Sequence, residues 1–272
     1  MIDLHSPLIH KSAISYLKRC ISSGWVSTGG NYVSQFEKAI SKYTGSKYAI
    51  ACNSGTSALH ISLKLAGVSS GDEVIVPTLT FVASINAVLY NSCFPVFMDS
   101  DNYYNIDVDK TIEFLKNNTF KKNNQTYNKK TKKKISAILI THVWGNAVDI
   151  IKLKRECDKR RLPIIEDASE SLGTRYKNNN KHTGTIGLMG AISFNANKII
   201  TTGSGGMILT NNYNLAKKAK YLTTQAKDDS IFFVHNEIGY NYRMSNISAA
   251  LGISQIKQLK YFLNKKKFIR NF

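Results

Sequence analysis

A lysine that closes an apolar run and enters a glycine-rich turn carries the sharpest chemical hint in this chain. It is Lys198, in SFNANKIITTGSGGMI, residues 193–208. A lysine amine withdrawn from water loses its proton more easily and can condense with an aldehyde. With 37 Lys and Arg in the chain, a solvated surface cation is the default for any one of them. Other motifs supply complementary chemistry. NSGTSALH (53–60) sets Gly55, Thr56 and Ser57 where a strand turns into a helix, and free N–H groups at a helix start cradle anions. The plainer alternative is an N-cap, with Ser54 or Thr56 serving the first helix donors. PIIEDASES (163–171) ends an apolar run in Glu166 and Asp167, with Glu170 close behind. An acid there can cap a helix, ligate a metal or pair with a buried cation, and no metal-ligand spacing accompanies it. Phe81 in TFVAS could stack on a flat ring, although packing in a core is the commoner fate of a lone Phe. In GYNYRMSN (239–246), Asn241 and Arg243 could meet a phosphate or carboxylate, or simply stabilise a turn.

The elements that must position these residues follow from periodicity. Val33, Phe36, Ala39, Ile40 and Tyr43 share one helical face. YAIAC (48–52) reads as a strand, followed by a helix ending near Gly67. DEVIVP (72–77), FPVFMD (94–99), ISAILITHVWG (135–145) and LPIIEDAS (162–169) read as further strands, with helices between the first pair and over DIIKLKRECDKRR. AISFNA (191–196) and GGMILT (205–210) form a strand pair around Lys198. Short apolar strands alternating with helices predict an α/β fold with a mainly parallel sheet covered on both faces. Such sheets bind ligands at the carboxyl ends of their strands, where these motifs fall. Beyond about residue 212 the pattern turns helical.

Composition narrows the function classes. At 43% hydrophobic over 272 residues, the chain has material for a full core. The net charge of +19 invites a nucleic-acid reading, but the lysines cluster in 116–134 and 257–270 without a recognised binding motif. The first cluster reads as a solvated loop or hairpin. Cys20, Cys52, Cys93 and Cys157 are widely spaced, as free thiols in a reducing compartment would be. The first residues do not have the pattern of a signal peptide, and the longest apolar segment, 74–90, is too short and polar to span a bilayer. A soluble cytoplasmic protein, without nucleic-acid or membrane partners, is expected.

Phosphate cradle, stacking aromatic, acid and lysine together are what a protein needs to hold pyridoxal 5'-phosphate (PLP): an anion, a flat ring, a pyridine nitrogen and an aldehyde. The motifs GWVSTGG, NSGTSALH, GDEVIVPTLTFVAS, IIEDASESLG, HTGTIG, SFNANKIITTGSGGMI and EIGYNYRMSNISAALG, in this order over residues 24–252, resemble the DegT-type PLP-dependent nucleotide-sugar aminotransferases. LTTQAKDD, HNEIGYNYR and DASESLG look most like the LegC-type branch of legionaminic acid biosynthesis. The resemblance implies the aspartate aminotransferase fold (fold type I). It also implies transfer of an amino group, from glutamate, to the 4-keto group of a nucleotide-linked 2-acetamido-4-keto-6-deoxy sugar.

By position, the resemblance makes Lys198 the lysine that binds the coenzyme and shuttles the proton. Asp167 becomes the pyridine-nitrogen partner and Phe81 the stacking aromatic. Gly55, Thr56, Ser57 and Ser193 are phosphate ligands, and Glu170 lies near the coenzyme's 3' oxygen. Asn241 would reach the phosphate of a neighbouring subunit, which implies a homodimer with shared sites. Ser27 and Thr28 match a substrate-side loop, and Arg243 joins them. The implied organisation is an N-terminal segment over 1–30, a large PLP-binding domain over 31–235, and over 236–272 the start of a truncated C-terminal region. Two rival readings are an inactive remnant of the fold and a PLP-dependent sugar dehydratase; the latter carries His at the lysine position, against Lys198. Ala196 stands where this branch has Gly, and Ser204 where relatives tend to have another. If its position demanded a left-handed backbone, Ala196 would be strained.

Overall fold

The computed structural model describes residues 6–229 and 231–271; residues 1–5, which are part of the reading of the N-terminus, lie outside them. Nine strands form one sheet: β1 (Tyr48–Cys52), β2 (Glu73–Pro77), β3 (Phe94–Met98), β4 (Thr119–Lys122), β5 (Gln125–Asn128), β6 (Lys134–Thr141), β7 (Ile164–Asp167), β8 (Met189–Ser193) and β9 (Gly206–Thr210). The main order is β1-β9-β8-β7-β6-β2-β3. The run from β8 to β3 is parallel throughout, and β9 is antiparallel to both β8 and β1. β1 therefore points the same way as the parallel strands. The lysine-rich segment folds as the β4–β5 hairpin, joined to β6 through β5.

Eight helices complete the described residues: α1 (Ser12–Ser23), α2 (Asn31–Thr44), α3 (Gly55–Leu65), α4 (Val82–Tyr90), α5 (Val108–Asn117), α6 (Ile150–Lys159), α7 (Tyr213–Thr223) and α8 (Asn246–Arg270). Successive strand residues point to opposite faces, and the helices cover both. Ala58, Leu59 and Ile61 of α3, Val88 of α4 and Leu222 of α7 pack on Ile50, Val74, Val76, Leu139 and Ile208. On the other face, Phe36 and Ile40 of α2 and Ile253 of α8 pack on Ala51, Ile192, Met207 and Leu209, while Leu115 of α5 and Leu153 of α6 pack on Ile75, Ile138 and Ile140. This is the expected three-layer α/β architecture. All four cysteines are buried and free. No helix among the described residues is long and apolar enough to cross a membrane.

The strand expected over 135–145 stops at Thr141. Residues 143–145 instead form a single tight turn in which Trp144 has φ 51° and Gly145 φ 86°, leaving the extended region. Ala196 and Ser204 are not among the positive-φ residues, so neither is strained; Gly203, φ 78°, makes the left-handed bend of that turn.

Candidate active site

The carboxyl ends of β2, β6, β7 and β8, the turn between β1 and α3, and the entry to β9 surround one cavity of about 530 Å³. The topology explains the convergence: parallel strands end on one side, and the antiparallel β9 begins there. Gly55, Thr56, Thr80, Phe81, Thr141, Trp144, Asp167, Glu170, Ser193 and Lys198 all line this cavity.

At the α3 end, the capping reading and the anion reading hold together. Ser54 Oγ accepts the Ser57 N–H at 3.0 Å, while the N–H groups of Gly55 and Thr56 have no protein acceptor among the described residues. Those two amides are free for a ligand anion, aided by the positive end of the helix. Close approach explains the glycine: a Cβ on Gly55 would lie 2.9 Å from Ser193 Cβ. Across the same junction, a Cβ on Gly206 would stand 2.2 Å from the Ser54 carbonyl oxygen. Ser57 does not face the cavity; its hydroxyl donates to Asn53 Oδ1 at 2.7 Å.

Asp167 is nearly buried, at 4% exposure. Its Oδ2 accepts from Ser84 Oγ at 2.7 Å and its Oδ1 from the Ser169 N–H at 3.0 Å. Thr80 Oγ1 donates to Ser84 Oγ at 3.1 Å and lies 2.9 Å from Thr141 Oγ1. No cation pairs with Asp167 among the described residues. A buried carboxylate held by neutral donors alone suits a cationic or N–H partner arriving from the cavity. Sequence reading missed Ser84, Thr80 and Thr141; their only signal was hydroxyls clustered at strand and helix ends.

Lys198 is not a surface cation. Its side chain is 13% exposed, and its Nζ lies 3.3 Å from Glu170 Oε1. Glu170 Oε2 accepts the Trp144 N–H at 2.9 Å. Phe81 escapes the common fate of a lone Phe. It sits at the N-cap of α4, beyond the end of β2, and is 70% exposed at the cavity wall.

The remaining candidates do not join Lys198. Asn241 is exposed and bridges to Thr224. Arg243 pairs with Cys52 along the free edge of β1, donates to Gln225 Oε1 at 3.2 Å, and has a buried Nε without a partner. Thr28 and Arg243 line a separate cavity of about 150 Å³ with Lys220 and Met244. The Ser27 carbonyl accepts the Asn246 N–H at 2.6 Å. None of the four lines the Lys198 cavity: Arg243 lies beside the edge of β1 and Ser27 against the start of α8.

The lining therefore offers free helix-start amides, an unpaired carboxylate, an amine and an exposed aromatic face, a set that fits PLP. Comparison with known proteins agrees. Residues 7–272 match the family described as the DegT/DnrJ/EryC1/StrS aminotransferase family. EpsN of Bacillus subtilis, described as a pyridoxal phosphate-dependent aminotransferase, is 38% identical over 93% of this chain and 63% of its own length. The UDP-4-amino-4,6-dideoxy-N-acetyl-beta-L-altrosamine transaminase of Campylobacter jejuni is 34% identical over 100% of this chain and 68% of its own. Among solved structures, Helicobacter pylori PseC, an aminotransferase of pseudaminic acid biosynthesis, superposes with a TM-score of 0.83 at 28% identity, covering 95% of this chain and 66% of its own. The chain thus spans about two thirds of the length of these relatives.

Proposed function

The chain belongs to the DegT/DnrJ/EryC1/StrS aminotransferase family, and we propose that it is a PLP-dependent nucleotide-sugar aminotransferase of the LegC type. It takes an amino group from glutamate and delivers it to the 4-keto group of a nucleotide-linked 2-acetamido-4-keto-6-deoxy sugar, in the cytoplasm. The observation that carries this reading is the buried, cation-free carboxylate of Asp167 in the same cavity as Lys198. A relative named as the transaminase of a 4-amino-4,6-dideoxy sugar supports the position of amination.

PLP supplies an aldehyde that takes up the amine and a pyridine ring that accepts electrons from the reacting carbon. The rest falls to this chain. The Gly55 and Thr56 N–H groups and the Ser193 hydroxyl hold the phosphate. Ser84 and the Ser169 N–H fix the plane of the Asp167 carboxylate so that it faces the ring nitrogen. Phe81 covers the ring and excludes water. Lys198 Nζ would be the amine that holds the coenzyme and moves the proton, and Glu170 Oε1, 3.3 Å away, keeps it in place. Ser27, Thr28, Asn241 and Arg243 act on the cavity of a second copy, which makes the working unit a homodimer. An exposed apolar loop, Ile231, Phe232, Phe233 and Ile238, suits that association.

Adding PLP to the purified protein should produce an absorbance band in the visible region, absent in Lys198→Ala. Glutamate should then bleach it. No band at saturating PLP overturns the reading.

A further inference from the structure

Behind the cavity lies a second polar cluster that the proposed reaction does not use. β6 and β7 pair in parallel with Thr141 beside Asp167. Because side chains alternate, Asp167 faces the cavity and its neighbour Glu166 faces away. Glu166 and His142 are both fully buried. His142 Nε2 lies 3.0 Å from Glu166 Oε2, and His142 Nδ1 accepts the Val148 N–H at 3.2 Å. A ring whose Nδ1 accepts keeps its proton on Nε2, so His142 donates to Glu166. Glu166 also accepts the N–H groups of Gly184 (2.8 Å), Ile186 (2.7 Å) and Gly187 (2.6 Å). Burial alone would push this carboxyl up, but the bonds from His142 and from the Gly187 and Gly184 backbone hold it below the ordinary range.

This cluster fixes the residue at the head of the turn that serves the cavity, whose own Val143 N–H donates to Asn105 Oδ1 at 3.0 Å and whose Gly145 carbonyl accepts from Thr174 Oγ1 at 2.9 Å. His142 heads residues 143–145, its N–H donating to the Asp167 carbonyl at 3.0 Å and its carbonyl accepting from Gly145 at 3.2 Å. A left-handed backbone is disfavoured for a residue with a side chain, so the surroundings must hold Trp144 at φ 51°. The turn aims the Trp144 N–H at Glu170 Oε2, which leaves Glu170 Oε1 for Lys198 Nζ.

We infer that His142 and Glu166 are positioning residues for Lys198: the buried pair locks turn 143–145, the turn orients Glu170, and Glu170 holds the amine. Its meaning for catalysis rests on the aminotransferase reading, but the chain of contacts is testable without coenzyme. Asp167, Glu170 and Lys198 are the titratable groups lining the cavity.

The test is acetylation of the PLP-free protein by acetic anhydride at fixed pH, with Lys198 modification followed by mass spectrometry. Glu170→Gln should raise the Lys198 rate several-fold by removing the carboxylate that holds the ammonium. Glu166→Gln should raise it by a similar factor, and the double variant no further, since both act through one path. A wild-type rate in folded Glu166→Gln, or multiplying effects in the double variant, overturns the inference. If Glu166→Gln does not fold, hydrogen exchange of the wild type decides. The Trp144, Gly184, Ile186 and Gly187 amides should share one level of protection, and much faster exchange at Trp144 overturns it. Failure of the aminotransferase reading would show separately, as the missing coenzyme band.

Discussion

The Lys198 cavity and the Thr28–Arg243 region differ in what holds their functional candidates. In the cavity, Gly55, Phe81, Thr141, Asp167 and Ser193 stand at strand ends or helix starts and Lys198, Glu170 and Trp144 in turns just beyond them, so the sheet sets their positions within one chain. Around Thr28 and Arg243, the candidates sit on the sheet edge and in turns, beside an exposed apolar loop. There Arg243 Nε is buried without a partner, whereas Asp167 has both oxygens satisfied. The contrast teaches that the sheet by itself brings the groups around Lys198 together, while its edge leaves a buried guanidinium nitrogen unsatisfied among the described residues.

The largest effect that separates the regions is at the amine. Lys198→Ala should lower transamination by at least ~10²-fold and abolish the visible band, measured as the glutamate half-reaction. Asp167→Asn keeps the shape and removes the charge, and should slow that half-reaction by roughly 10²–10³-fold with less change in PLP affinity. Retained activity in either would break the assignment of the cavity.

The edge residues make a different prediction. Mixing Lys198→Ala with Asn241→Ala chains should restore activity that neither has alone, since a mixed dimer holds one intact site. No recovery after subunit exchange would break the shared-site half of the comparison. Gly55→Ala should cost about 1–3 kcal/mol of stability through overpacking against Ser193, read as a lower melting temperature and weaker PLP binding.

The smallest effect is on pH. Burial holds His60 and His182 at about 4 in the folded chain, from an ordinary value near 6.5. The unfolded chain therefore binds more protons between these values, and stability is full above pH 6.5 and falls on acidification toward 4. His182→Gln should flatten this acid limb of the melting profile; an unchanged slope would rule His182 out as a source.

Much of the cavity was legible because its residues end apolar runs that read as strands. Lys198, Asp167 and Gly55 stood at such ends, and their chemistry was complementary. α1 and α5 were not read. Only Ala13 and Cys20 of α1 are buried, and α5 buries Val108, Thr111 and Leu115 with Ile112 and Phe114 packed beside them, so each is a short amphipathic helix with its apolar residues spread among charged ones. Phe81 was open between core and stacking, because exposure depends on what covers a strand end. Ser57 read as a phosphate ligand, yet its hydroxyl turns to Asn53, a choice made by the rotamer within a capped first turn.

What the sequence by itself determined is local: the alternation of strands and helices, the glycine turns, and the functional groups at element ends, all set by periodicity and backbone preference. Which groups meet was decided only by the tertiary structure. Ser84 reaches Asp167 from 83 residues away, Glu170 reaches Lys198 across 28, and Arg243 settles on the edge of β1, because strand order is a non-local outcome of burying both faces of one sheet.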